Sequence, residues 1–449
     1  MSATDPVQYP TFDIIVTDKE TGRESKFDIR SSVVELRFYE DLYSPVTTAS
    51  VVVMATGNVQ IDKNTKTTLI GGLPIVGQEK VEITLNHENF VWPHDQYTLH
   101  NLVVNKVTDI TTGNNRESFT LQLISRDAFF NNTNRVRETY KNASPSDHIV
   151  NIINDKLLNG KLQGGGFDLV TLDYNNITFE ATSSGDKTVD YDASVGMINY
   201  KGNSRKPFTV IMNLAAKCRD GEGKTAGFVF FGTNDAYKLK SINNLAKQEP
   251  KETYNEINAM FSYTDPKGVD LKRKILAKTV IENNNILENL NYGVYASTRF
   301  FIDLYEGQLA ELDVDFTPEN YKDSLSFLGT ENLDVGEDLT NFPSRIFVQT
   351  TNQGTLDPTD ASENFDNQAI LSQSVNRYNT LLTQVINIIV PINVELNVGD
   401  VIVCNFPEVG KSNNDVKLSG KYLIKELCHY SSASEAYTSM QIVRDTYGS

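Results

Sequence analysis

The constraint that weighs most on this chain is where its period-two alternation falls. It lies at both ends, and a different pattern separates the two stretches. Near the N-terminus, Ile14, Ile15 and Val16 sit in a short β-branched run (12–17), and a turn-rich stretch follows at 18–22. Residues 32–40 alternate, with Val34, Leu36 and Phe38 set against Glu35, Arg37 and Tyr39. That is the pattern of a half-buried strand. The run 47–54 is again β-branched, and 80–85 alternates cleanly through Val81, Ile83 and Leu85. Segments 99–109 and 118–125 flank Gly113, Asn114 and Asn115, which predicts a hairpin. So many strands with short turns imply a closed barrel or a sandwich.

The pattern changes after Asp127. Ser144 and Pro145 give a helix N-cap followed by a first-turn proline. Ile149, Val150, Ile152, Ile153 and Leu157 then recur at helical spacing, up to a stop near Asn159 and Gly160. A second helix is predicted from Pro207, with Val210, Ile211, Leu214, Ala215 and Cys218 on one face. Residues 227–231 read as a buried strand, which 237–242 can meet as a hairpin. Strands return at 299–305, 311–316, 384–390, 400–406, 422–428 and 437–444. Between them, 317–366 is polar and acidic apart from 345–349, and reads as an insertion. The expected architecture is mainly β with an α+β middle: a barrel-like β-domain over 1–127, a mixed domain over 128–290, and a second barrel-like domain over 291–449 carrying the insertion at 317–366.

Composition narrows the function classes. The 449 residues suffice for roughly two to four domains. At 39% apolar content, each can bury a core. No window approaches the ~18 apolar residues of a membrane span, and the polar start has no signal-peptide pattern. Cys218, Cys404 and Cys428 are odd in number and far apart, as in a protein made in a reducing compartment. The net charge of −17 disfavours nucleic-acid binding over most of the surface.

Candidate chemistry was weighed and set aside. The stretch 220–225, with Gly221, Gly223, Lys224 and Thr225, imitates the end of a phosphate loop. Cys218 stands where the first glycine is needed, and the loop follows a helix rather than a strand. His87, His94 and His100 lack the spacing or cysteine partners of a metal site. His148 and His429 stand alone, and no serine lies in a nucleophile elbow. Asn142 and Asn176 match the glycosylation pattern, which has no meaning without secretion. Carboxylates are too plentiful to single out a hydrolytic pair. The twenty tyrosines suit interfaces and barrel cores alike. No catalytic, cofactor-binding or metal-ligating residue is therefore assigned, and no enzymatic activity is expected.

Several segments in order resemble the baseplate hub proteins of contractile-tailed, T-even-like myophages and the N-terminal part of type VI secretion spike proteins. They are 34–41, 44–53, 73–85, 97–107 and 119–125; then the helix after Pro145, 207–217, 227–231 and 237–245; then 396–402 with Pro407, 418–429 and 437–445. Segment 317–366 has no counterpart in that pattern. The resemblance implies two tube-like antiparallel β-barrels per subunit and a homotrimer. Six barrels then face a six-fold tail tube, and the other side meets a three-fold central spike. It also implies contacts with baseplate wedge proteins and the tape measure protein, a place in the virion tail after synthesis in the host cytoplasm, and DNA passing through the channel without specific binding. Two other readings stay open at this point: a tail-associated cell-wall or glycan hydrolase, and a receptor-binding adhesin. Independently of the resemblance, Val398, Gly399 and Asp400 predict a tight turn between strands. Ser419 and Gly420 are placed to launch the penultimate strand.

Overall fold

The structure is a computed structural model. It describes residues 11–17, 24–56, 59–62, 65–67, 75, 77, 79–86, 96–113, 116–158, 177–179, 187–220, 226–256, 273–283, 285–304, 307–315, 339–350, 364, 374–375, 377–408, 413–432 and 434–445. The first strands are β1 (Thr11–Thr17), β2 (Glu24–Asp28), β3 (Val33–Asp41), β4 (Thr48–Thr56), β5 (Val59–Asp62), β6 (Thr65–Thr67), β7 (Lys80–Asn86), β8 (Gln96–Thr112) and β9 (Arg116–Ser125). The middle holds β10 (Thr139–Ala143), β11 (Ile177–Phe179), β12 (Thr188–Tyr191), β13 (Ile198–Lys201), β14 (Phe228–Gly232) and β15 (Ala236–Ser241). Then follow β16 (Glu252–Asn255), β17 (Ala277–Asn283), β18 (Ala296–Asp303), β19 (Gln308–Asp315), β20 (Arg345–Thr350), β21 (Gln384–Pro391), β22 (Val401–Asn405), β23 (Gly420–Ser432) and β24 (Ala436–Arg444). The helices are α1 (Asp127–Thr133), α2 (Pro145–Ile152), α3 (Pro207–Ala215), α4 (Ile242–Lys247) and α5 (Ile286–Tyr292).

The two ends of the chain belong to one sheet. Its order is β2-β1-β7-β8-β9-β4-β3-β23-β24-β21-β17, with β22 beside β23 and β16 beside β22. The join is antiparallel pairing of β3 with β23, from Asp41 opposite Glu426 to Glu35 opposite Ser432. β23 has 13 residues and divides them along one edge. Its first part, Gly420 to Leu423, pairs with β22, and the part from Glu426 onward pairs with β3. A register shift between Ile424 and Glu426 separates the two. Such a bulge bends the strand and sharpens its twist, so β23 turns from one arc of strands into the other.

The sequence predicts two separate barrels. The described pairings give instead one continuous open sheet with two cores. One core is N-terminal, built on Leu36, Phe38, Val51, Ile83, Phe119 and Leu121, and the other is C-terminal, built on Ile386, Ile402, Tyr422, Ile424, Met440 and Ile442. The outer strands of the C-terminal arc come together at one point. Asn255, at the end of β16, bridges Lys274, and the Ile275 N–H donates to the Asn255 carbonyl at 2.9 Å.

Strand membership also differs from the expected domain limits. β16 and β17 fall within the expected middle stretch yet pair into the C-terminal arc. β18 and β19, expected in the second barrel, form a separate three-stranded sheet, order β19-β18-β20, with β20 from inside 317–366. Local periodicity shows that a strand exists but not which strand it will pair with.

The middle unit packs helices on a four-stranded sheet, order β11-β12-β15-β14, around Ile149, Ile152, Val210, Leu214, Phe228 and Phe230. The Ser144 hydroxyl accepts from the Asp147 N–H and caps α2, with Pro145 in the first turn, as the sequence predicts. The predicted hairpin of β14 and β15 is present, from Phe228 opposite Ser241 to Gly232 opposite Tyr237. β14 is buried on both faces. Phe228 and Phe230 enter the middle core, while Val229 and Phe231 enter the C-terminal core. Burying each such phenylalanine is worth roughly 1.5–3 kcal/mol, so β14 fastens the middle unit to the sheet.

Candidate functional site

The place where the three cores meet is built around one carboxylate. The alternation that points Leu36 and Phe38 inward puts Glu40 on the same face, and it is buried. Its two oxygens serve two different units. Oε1 accepts the N–H of Asn234 at 2.8 Å, in the turn between β14 and β15. Oε2 accepts the N–H of Val398 at 3.1 Å, in the turn before β22. The Asn234 side chain donates to the Thr98 carbonyl of β8 at 3.0 Å. One acid thus clasps the N-terminal arc, the middle sheet and the C-terminal arc. Burial is the leading effect on Glu40 and pushes its pKa up to about 7. The two N–H donors, Lys238 and Lys187 pull the other way.

Glycines let the three turns approach. A Cβ at Gly232 would lie 2.2 Å from the Pro45 carbonyl oxygen. Gly399 has φ +86°, and a Cβ there would lie 2.6 Å from Phe231 Cζ. The predicted turn at 398–400 is therefore present, and the Asp400 Oδ2 accepts from the Asn397 N–H at 2.8 Å. Close by, Lys187 and Asp127 form a buried ion pair at 3.5 Å, with Lys187 over the Tyr237 ring.

Along the β3–β23 seam lies a groove of about 390 Å³ whose lining includes Tyr39, Glu40, Asp41, Glu426, Cys428 and Gln441. Burial pushes the Cys428 thiol up to about 11, and Glu426 is held by Lys425 at 2.6 Å. The lining is mixed, with Glu40, Asp41 and Glu426 beside Val46, Leu427 and Met440.

Among the described residues, those weighed in the sequence do not converge. His148 is buried with Nε2 2.7 Å from the Ile198 carbonyl, and burial lowers its pKa. His429 is buried beside Thr438 Oγ1 at 3.0 Å and stacked on Phe38; burial pushes it down to about 4. Burial pushes Cys218 up to about 12, and Cys404 also upward. His87, His94, Asn176 and the glycine-rich stretch 221–225 lie outside the described residues, as does the side chain of His100. Among the described residues, no group of three or more His, Cys, Asp or Glu side chains is placed to hold a metal ion. Sequence reasoning missed the role of Glu40. The signal was available, because an acid sits at an inward position of an alternating strand.

No family model matches the chain, and no curated protein matches it. Solved structures do. A tail protein from Neisseria meningitidis MC58 superposes with a TM-score of 0.54 at 9% identity, covering 98% of this chain and 97% of that one. The 43 kDa tail protein of prophage MuSo2 from Shewanella oneidensis aligns over 97% of this chain and 98% of that one, at TM-score 0.49 and 7% identity. An Escherichia coli component of the type VI secretion system aligns over 93% of this chain and 75% of that one, at TM-score 0.43 and 9% identity. At 9% identity the likeness to the meningococcal tail protein is one of fold. The chain has the fold of the meningococcal tail protein along nearly its whole length.

Proposed function

We propose that the chain is a structural baseplate hub subunit of a contractile phage tail. Three copies assemble as an adaptor between the six-fold tail tube and the three-fold central spike. The observation that carries this reading is the pair of β-arcs, each with its own core, held side by side by the β3–β23 seam. Each arc is one β-unit with its own core, and the Asn255–Lys274 bridge draws the edges of the C-terminal arc together. Three chains then present six such units, which matches a six-fold ring without a second gene product. The fold shared with a tail protein agrees with this role.

A joint serving this purpose must hold its units at a fixed angle, and the Glu40 clasp with its two close glycine approaches does so. The subunit works by binding other subunits and carries no enzymatic step. Its partners are tube, spike, wedge and tape measure proteins, and its net charge of −17 keeps a channel from gripping passing DNA. Light scattering on the purified chain tests the reading: the mass of three chains is expected. Zymography on cell-wall substrate is expected to be blank, and lysis there would replace the hub with a hydrolase.

A further inference from the structure

The small sheet holds an arginine with one edge of its guanidinium unpartnered. Arg299 on β18 is only 3% exposed, and its Nε and Nη2 have no hydrogen-bond partner. Its guanidinium stacks over the Phe347 ring at 4.2 Å, and neither Nε nor Nη2 has a hydrogen-bond acceptor. Arginine is almost never buried without a partner, because an uncompensated buried charge is costly. Two residues earlier on the same face, the Ser297 hydroxyl is also buried and unpartnered.

Neighbouring Arg345 explains itself. It sits opposite Ser297 in the parallel pairing of β18 with β20. Its Nη1 donates to the Asn291 carbonyl at 3.1 Å, at the C-terminal end of α5, where a cation belongs. It also lies over the Tyr292 ring and, at 4.8 Å, over the Phe347 ring that Arg299 faces. Gly293 seats this helix end: with φ +69°, it passes so close that a Cβ would lie 2.9 Å from Arg345 Cβ and 3.1 Å from Ser297 Cβ. The packing is therefore finished around Arg345 and unfinished around Arg299.

We propose that Ser297 and Arg299 form a receptor site for a carboxylate that is not supplied by the described part of this chain. Nε and Nη2 are the two donors of one edge of the guanidinium, spaced for the two oxygens of a planar carboxylate. The serine hydroxyl adds a third donor on the same face. A single negative charge matches the one buried guanidinium, since Arg345 is exposed and engaged at the helix end. Burial and the like charge of Arg345 hold Arg299 down to about 10, a cost that an arriving acid removes. The inference stands apart from the trimer reading and holds for a monomer equally.

The test is thermal unfolding of the full chain in sodium acetate, a blocked glutamyl peptide, inorganic phosphate or sodium chloride, at matched ionic strength. Wild type is expected to show a saturable rise in midpoint with acetate or the peptide over chloride. Arg299→Lys keeps the charge but lacks the fork, and is expected to lose that rise. Ser297→Ala is expected to weaken it. A peptide effect at lower concentration than acetate identifies a protein side chain as the ligand, and an acetate effect alone identifies a small acid. Arg299→Leu removes the unpaired charge and is expected to unfold at or above the wild-type midpoint without ligand. The proposal is overturned by an equal acetate effect in wild type and Arg299→Lys, by phosphate acting in place of acetate, by no anion effect, or by failure of Arg299→Leu to fold.

Discussion

At the residue scale, the joint makes opposite demands on two buried titratable groups. Glu40 is raised from 4.5 to about 7, so the stability it contributes is full below its unfolded value and is lost as pH rises through about 7. His429 is lowered from 6.5 to about 4, so its contribution is full above 6.5 and is lost as pH falls through about 4. Between pH 4.5 and 6.5 the two slopes oppose each other. Glu40→Gln removes the first and leaves the second. Its unfolding free energy at pH 7.5 minus that at pH 5 is expected to be more positive than in wild type, as read by urea melts at both pH values. An unchanged difference would mean that Glu40 does not titrate in the folded joint. Glu40→Ala is expected to cost at least about 1–3 kcal/mol, because two buried N–H groups from two other units lose their acceptor. A second buried contact ties the end of β24 to α4. Arg377 meets Asp445 at 2.7 Å, and its Nε meets the Asn243 amide oxygen at 2.9 Å. Arg377→Ala removes this buried partner of Asp445 and Asn243 and is expected to destabilise the fold in the same melts.

At the scale of elements, the turns decide whether the units dock. Gly399→Ala meets both an unfavourable φ and Phe231, and is expected to destabilise by about 2–5 kcal/mol. Gly232→Ala meets the Pro45 carbonyl without a comparable φ demand, so about 1–3 kcal/mol is expected. Both are read as a loss of unfolding midpoint, and a neutral result at Gly399 would sink the close approach of that turn to β14. The elements themselves were largely legible. The capped helix at Pro145, the helix at Pro207, the β14–β15 hairpin and the turn at Gly399 all lie where local chemistry puts them. Two kinds of feature were not legible. Val34 reads as inward but is 42% exposed, because the pairing with β4 slips between Val33 and Glu35 and turns it outward. In the same way, Ile424 and Leu427 are both buried three residues apart only because a bulge lies between them. Bulges depend on the partner strand and leave no mark in one segment's pattern. Pairing of β3 with β23 was equally hidden, since it joins opposite ends of the chain. The Glu40 clasp follows from that pairing, so its inward position could be read while its partners could not.

For the whole molecule, the design is one sheet bent at a seam, with a mixed α/β unit wedged into the bend. The seam gives the two β-arcs a fixed relation, and β14 holds the middle unit by entering two cores at once. This arrangement makes sense for a part whose work is geometric. The proposed hub role needs two surfaces at a set spacing, and the register shift between Ile424 and Glu426 lies where the two arcs join. The three-stranded sheet stands apart from that plan and carries the unsatisfied Arg299, which marks it as a place for contacts outside the seam. Single-particle imaging of the purified chain reads the proposed symmetry. A three-fold ring is expected in which each chain contributes two β-units, giving six around a central channel; a particle of any other symmetry, or one in which the two arcs of a chain lie at different distances from the axis, would overturn the hub proposal.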